Sequence, residues 1–127
     1  MGVGGFVDLG LSARPGRGCV VVEVQGDLDM ATTPRLRDGL QRLVDAGDRQ
    51  VVVDLARVPF MDSSALGALM LTFTALRDLG GRLSLAAVQP LVANLLNITS
   101  VDSVIDVYDT VQAAEADMPR ADGATGG

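Results

Sequence analysis

The amino-acid sequence predicts a single α/β domain: a mixed, mostly parallel β-sheet with an N-terminal antiparallel hairpin and about four helices. Three observations carry this. Val51-Val52-Val53-Asp54-Leu55 is a nearly continuous apolar run, the pattern of a strand covered on both faces. Strand-like runs alternate along the chain with segments of helical spacing, which favours parallel pairing. The 127 residues suit one domain with one core.

Taken in order, residues 6–12 alternate weakly and then meet Arg14-Pro15-Gly16-Arg17-Gly18, a turn composition. Val20, Val22 and Val24 alternate with Val21, Glu23 and Gln25, so a strand with one buried face follows and closes a hairpin. Gly26 ends it, and Asp27-Leu28-Asp29 reads as a loop. Thr33 before Pro34 is an N-cap with a first-turn proline. Leu36, Leu40, Leu43 and Val44 share a helical face, and Gly47 stops the helix.

Beyond the valine strand, a second helix is predicted from about Ser63 to Leu79. Leu66, Leu69, Met70, Phe73 and Leu76 stand at helical spacing, and Gly80-Gly81 ends the run. Leu83 to Val88 reads as a strand. Pro90 opens a short helix carrying Leu91, Val92, Leu95 and Leu96. Val104 to Tyr108 reads as the last strand and Thr110 to Ala116 as the closing helix. The order is β-β-α-β-α-β-α-β-α, with right-handed crossovers expected. The domain is expected over residues 6–116, and the composition of residues 117–127 predicts a disordered tail. Val52, Leu55, Leu66, Leu69, Phe73 and Leu85 are the expected core.

Composition narrows the function. There is no histidine, so a Ser-His-Asp or Cys-His arrangement within the chain is excluded. All ten basic residues are arginine. Without lysine there is no Walker A loop, Schiff-base chemistry or Ser-Lys hydrolase. Cys19 is the only cysteine, leaving no ordinary zinc site, and its place in a valine-rich run reads as a small hydrophobe. The net charge of −6 argues against nucleic acid or an anionic membrane as partner. No apolar run reaches the length of a membrane span, and no signal-peptide pattern opens the chain, so a cytoplasmic setting is expected. The chain reads as a binding module without a cofactor or resident metal.

The segment Pro59-Phe60-Met61-Asp62-Ser63-Ser64-Ala65-Leu66-Gly67 joins the buried strand to the second helix. Asp62, Ser63 and Ser64 all favour a helix N-terminus, where their oxygens accept unpaired N–H groups. Capping alone accounts for these residues. The same geometry leaves a serine hydroxyl accessible and gives a phosphate a polar cradle. Phosphorylation adds roughly −1.5 to −2 charges, here beside Asp62. Asp54 at a strand end is not a receiver-type phosphoacceptor, because that chemistry also needs a lysine. Asn97-Ile98-Thr99 matches a glycosylation sequon with no sign of secretion.

The stretch Val51 to Gly67, centred on Met61-Asp62-Ser63-Ser64-Ala65-Leu66-Gly67, resembles the phosphorylation-site signature of anti-sigma factor antagonists of the STAS domain family. Gly26-Asp27-Leu28-Asp29 resembles the family's Gly-Glu-Leu-Asp loop, with Asp27 in place of Glu. Ala65 stands where many members have glycine. The resemblance implies partner switching. The unphosphorylated antagonist binds an anti-sigma factor and frees a sigma factor. The anti-sigma factor is commonly a serine kinase that inactivates the antagonist, and a metal-dependent serine/threonine phosphatase reverses this. Carried over by motif, Ser63 is the acceptor, Ser64 its neighbour, and Asp27, Asp29, Asp62, Ser63 and Ser64 form the partner-binding surface. The free chain is expected to be a monomer. Asp29 is expected close to Ser63.

Two other readings keep or change the class. Stand-alone STAS proteins also serve in signalling scaffolds or as soluble subunits of lipid-transport complexes with an ABC-type ATPase. An enzyme could instead use Asp27, Asp29 and Asp62 with Ser63 around a divalent cation, although no base or phosphate loop is evident.

Overall fold

The computed structural model describes residues 9–119. Two strands open the chain, β1 (Gly10–Pro15) and β2 (Val20–Gln25), followed by α1 (Thr33–Asp45), β3 (Gln50–Arg57), α2 (Ser63–Asp78) and β4 (Arg82–Ala86). Then come α3 (Pro90–Ile98), a 3₁₀ turn at Val101–Ser103, β5 (Val107–Tyr108) and α4 (Val111–Ala116). The five strands lie in sequence order, β1 antiparallel to β2 and the other pairs parallel. The mixed sheet and four helices match the predicted class. The weakly alternating residues 6–8 lie outside the described residues.

Sequential strand order decides where the helices go. Crossovers of one hand that all step in the same direction must fall on one face of the sheet. Accordingly α1, α2 and α3 bury Leu36, Leu40, Ala65, Leu66, Leu69, Val92 and Leu96 against Val22, Val24, Val51, Val53, Leu55, Leu83 and Leu85. Among the described residues no strand follows α4, and it covers the other face. There Val111, Ala114 and Met118 close over Val21, Val52 and Ala86.

That second layer corrects the reading of β2. Its expected solvent-facing Val21 is 0% exposed, because α4 lies over it. Phe73 is also corrected: it is half-buried at the margin of the core, its ring near the Arg77 guanidinium. Leu66, Leu69 and Leu76 occupy the centre of the stripe, and the burial of Ala65 and Ala68 turns that stripe away from Phe73. The other expected core residues, Val52, Leu55, Leu66, Leu69 and Leu85, are buried. Cys19 is half-buried, and burial pushes its thiol up.

Element ends follow local chemistry. Gly47 and Gly80 hold φ of 101° and 82° just past α1 and α2. Each lets the following amide reach back to a helix carbonyl, Asp48 to Leu43 at 3.0 Å and Gly81 to Leu76 at 2.7 Å. β4 stops at Ala86 rather than Val88, because Ala87 takes φ of 60°. The last strand is shorter than predicted. Val101 and Ile105, four apart, are both buried while Val104 is exposed, so this stretch follows helical rather than alternating spacing.

The expected tail begins with an anchored segment. Met118 is buried, and Arg82 donates to Asp106 (2.7 Å), to the Tyr108 hydroxyl (2.6 Å) and to the Asp117 carbonyl (3.0 Å). Tyr108 donates in turn to the Asp117 carboxylate. Order therefore extends past residue 116, and residues 120–127 lie outside the described residues.

Burial first, then the bond to Asp117, push the Tyr108 hydroxyl up to about 12, against the nearby Arg82. The phenolate is disfavoured in the folded chain. This contribution to stability is complete below the unfolded value near 10 and is lost as pH rises through about 12. The chain has one tyrosine and no tryptophan, so ultraviolet titration reads this group directly. The native protein should titrate near 12, and Asp117→Asn should lower the value. Native titration near 10 would contradict the contact.

Candidate functional site

Two loops meet at the carboxyl ends of β2 and β3. Leu28 and Met61 form a parallel bridge: the Leu28 amide donates to the Phe60 carbonyl and the Asp62 amide to the Leu28 carbonyl, both at 2.9 Å. Both side chains are buried. The Asp27–Asp29 loop is thereby fixed beside the Asp62–Ser64 turn, as the sequence reading expected.

Asp62 is the N-cap of α2. Its extended backbone turns the carboxylate over the helix start, where Oδ1 accepts from the Ser64 amide at 2.9 Å and the Ala65 amide at 3.4 Å. The Ser64 hydroxyl donates to the same oxygen at 2.5 Å. Replacing Asp62 with alanine removes the cap and should cost about 0.5–2 kcal/mol in urea unfolding; an unchanged midpoint would show the cap to be dispensable.

Asp29 caps its own turn. Oδ1 accepts from the amides of Ala31 (2.9 Å) and Thr32 (3.1 Å), and the Thr32 hydroxyl donates to the Asp27 carbonyl at 2.8 Å. α1 begins at Thr33, with Thr32 in the cap position making no side-chain cap bond, so the expected Thr33 cap is corrected. Thr33 does something else. Its hydroxyl donates to the Asp29 carbonyl at 2.7 Å and lies 3.0 Å from the Ser64 oxygen. The two hydroxyls have two protons for three contacts. Ser64 gives its proton to the Asp62 carboxylate, and Thr33 shares its own between the Asp29 carbonyl and Ser64.

The two serines are therefore unlike. Ser64 is half-buried and tied to both Asp62 and Thr33. Ser63 is exposed in the first turn of α2, and among the described residues its hydroxyl makes no hydrogen bond. Asp27 is exposed. The polar cradle expected for a phosphate is partly occupied, because Asp62 already takes the amides of Ser64 and Ala65. Asp29 and Asp62 each use one carboxylate oxygen on backbone amides, and among the described residues no group of three potential ligands converges to hold a metal. Sequence reading missed Thr33 as a site residue. The Thr32-Thr33 doublet after the Asp-Leu-Asp loop was its only signal.

Comparison with known proteins agrees with this architecture. The STAS domain matches residues 12–114. The anti-sigma-B factor antagonist of Staphylococcus epidermidis is 34% identical over 88 residues, 69% of this chain and 82% of that protein. The anti-sigma F factor antagonist of Paenibacillus polymyxa is 28% identical over 94 residues, 73% of this chain and 80% of that one. The crystal structure of an anti-sigma factor antagonist from Mycobacterium paratuberculosis superposes with a TM-score of 0.78 at 27% identity, covering 84% of this chain and 91% of that one. Among the described residues no helix is long and apolar enough to cross a membrane. With its sequential mixed sheet and its Asp-Ser-Ser helix start laced to the Asp-Leu-Asp loop, the chain belongs to the STAS domain family.

Proposed function

We propose that the protein is a cytoplasmic anti-sigma factor antagonist whose state is set by phosphorylation of Ser63. Unphosphorylated, it binds an anti-sigma factor that is also a serine kinase, and so releases a sigma factor. Phosphate on Ser63 ends that binding, and a serine/threonine phosphatase restores it. The chain itself is not an enzyme. Asp27, Asp29, Asp62, Ser63 and Ser64 form the contact surface around the acceptor.

One observation carries the reading. The Ser63 hydroxyl is exposed and makes no hydrogen bond among the described residues, whereas its neighbour Ser64 is held by Asp62 and Thr33. A kinase must bring the acceptor oxygen within bonding reach of ATP, and only a free hydroxyl on an exposed turn offers that without unmaking the fold. The test is a pull-down from native cytoplasm with the wild-type chain and Ser63→Ala, followed by mass spectrometry of the wild type incubated with ATP and the captured kinase. Ser64→Ala should still receive phosphate on Ser63. Phosphate found only on Ser64 would overturn the assignment.

A further inference from the structure

Thr33 carries a hydroxyl that its own helix does not need. The cap position of α1 is Thr32, and Thr33 is the first helical residue. The Thr33 hydroxyl donates to the Asp29 carbonyl at 2.7 Å, but that oxygen already accepts from the amides of Thr32 (3.2 Å) and Thr33 (2.9 Å). A carbonyl oxygen has two lone pairs, so the hydroxyl is surplus there. The residue is buried, and a valine of nearly the same shape would carry no polar atom into that setting. What the hydroxyl reaches besides is Ser64, 3.0 Å away across the junction of α1 and α2.

That contact falls on an oxygen otherwise prepared for chemistry. Phosphoryl transfer to a serine needs a lone pair open to the phosphorus and a base for the hydroxyl proton. Ser64 has the base, because its hydroxyl donates to the Asp62 carboxylate at 2.5 Å. In that respect it is better prepared than Ser63, whose hydroxyl has no such partner among the described residues. The lone pair is what Ser64 lacks. Thr33 presents its proton to that oxygen, and the side chain is half-buried.

We propose that Thr33 is a positioning residue that decides which of the two adjacent serines receives phosphate. It occupies the Ser64 oxygen and holds that hydroxyl inward, so Ser63 alone is presented. This rests on the reading of Ser63 as a kinase's acceptor. At either serine the oxygen bonds to the γ-phosphorus of ATP while the bond to the β-phosphate oxygen breaks and ADP leaves. The proton goes to a base of the kinase at Ser63, whereas at Ser64 it would pass to Asp62. Without the Thr33 hydroxyl, Ser64 keeps its base and gains a free lone pair. Phosphate there would set its charge against the Asp62 cap and take away the hydroxyl donor that the carboxylate now has.

The test uses the full chain, ATP and the kinase that the chain captures, with mass spectrometry to locate the phosphate. Measured against Ser63→Ala, the double variants Ser63→Ala/Thr33→Val and Ser63→Ala/Thr33→Ala should take phosphate on Ser64 about fivefold faster, the worth of one lost hydrogen bond. Ser63→Ala/Thr33→Ser keeps the hydroxyl and should stay within about twofold of Ser63→Ala. Thr32→Val in the same background tests whether a loosened loop is enough. The Thr32 hydroxyl donates to the Asp27 carbonyl and accepts from the Asp29 amide at 3.0 Å, without touching Ser64. An equal rise with Thr32→Val would make loop mobility the cause and overturn the proposal. Both Thr33 variants should keep a cooperative urea transition, since the Asp29 carbonyl retains its two amides. Loss of the fold in both would make the hydroxyl structural and equally overturn it. An unchanged Ser64 rate in the folded variants, with wild-type phosphate on Ser63, sinks this proposal and leaves the acceptor reading standing. Wild-type phosphate on Ser64 alone brings down both.

Discussion

Phosphorylated at Ser63, the chain should bind its anti-sigma factor about a hundredfold or more weakly than the unmodified chain. The sign is not self-evident. An acidic surface calls for Arg or Lys on the partner, and Arg pairs well with phosphate, which could have tightened the complex. Two features argue the other way. The amides of Ser64 and Ala65 are already bonded to Asp62, so the helix start offers little to neutralise the added roughly −1.5 to −2 charges. Those charges stand beside the Asp62 carboxylate, with the Asp27–Asp29 loop laced alongside. If the anti-sigma factor is the kinase proposed above, they must also enter a site that holds the phosphates of ATP. Like charges forced together at an interface cost several kcal/mol.

The fold itself should barely change, since Ser63 is exposed and outside the Thr33–Ser64–Asp62 contacts. Ser63→Ala should therefore bind constitutively and resist phosphorylation, while Ser63→Asp should bind poorly. Titration calorimetry with the cognate anti-sigma factor measures all three forms. Equal affinity for phosphorylated and unmodified chain would defeat the switch.

Leu69→Ala should cost about 2–5 kcal/mol of folding stability. Leu69 is 0% exposed on the buried stripe of α2, within the cluster shared by α1, α2, α3 and one face of the sheet. Truncation loses the transfer energy of the removed methyl groups and leaves a cavity that close-packed neighbours fill only in part. Against the roughly 5–15 kcal/mol typical of a domain, that is a large share. A lower urea midpoint with an unchanged slope is the expected signature. A loss below about 1 kcal/mol would mean that α2 is not clamped by its apolar stripe, and the placement of Ser63 would then rest on the loop contacts alone. The exposed Leu71, two residues on, serves as the internal control, because its truncation opens no cavity.

By itself the sequence determined what is local in origin. Helical spacing placed α1, α2 and α3, Gly47 and Gly80 marked helix ends, and the valine run marked β3 as a central strand. Asp62 was legible as an N-cap because capping needs only four consecutive residues and the amides among them. The motif around Ser63 was legible for the same reason, and with it the STAS family. Tertiary structure alone decided what depends on residues distant in the chain. Val21 reads as solvent-facing until α4, some ninety residues later, covers it. Phe73 reads as core until the neighbouring helices fix which part of the α2 stripe lies deepest. Thr33 reads as a cap until the pairing of Leu28 with Met61 brings its hydroxyl to Ser64, 31 residues away, and so separates a tied serine from a free one. Gly67 closes the motif in sequence, but only the empty space around it shows that packing does not require a glycine there. Hydrogen bonds and apolar spacing between near neighbours are written in the order of residues, whereas burial and the commitment of a hydroxyl are settled by what the folded chain brings alongside.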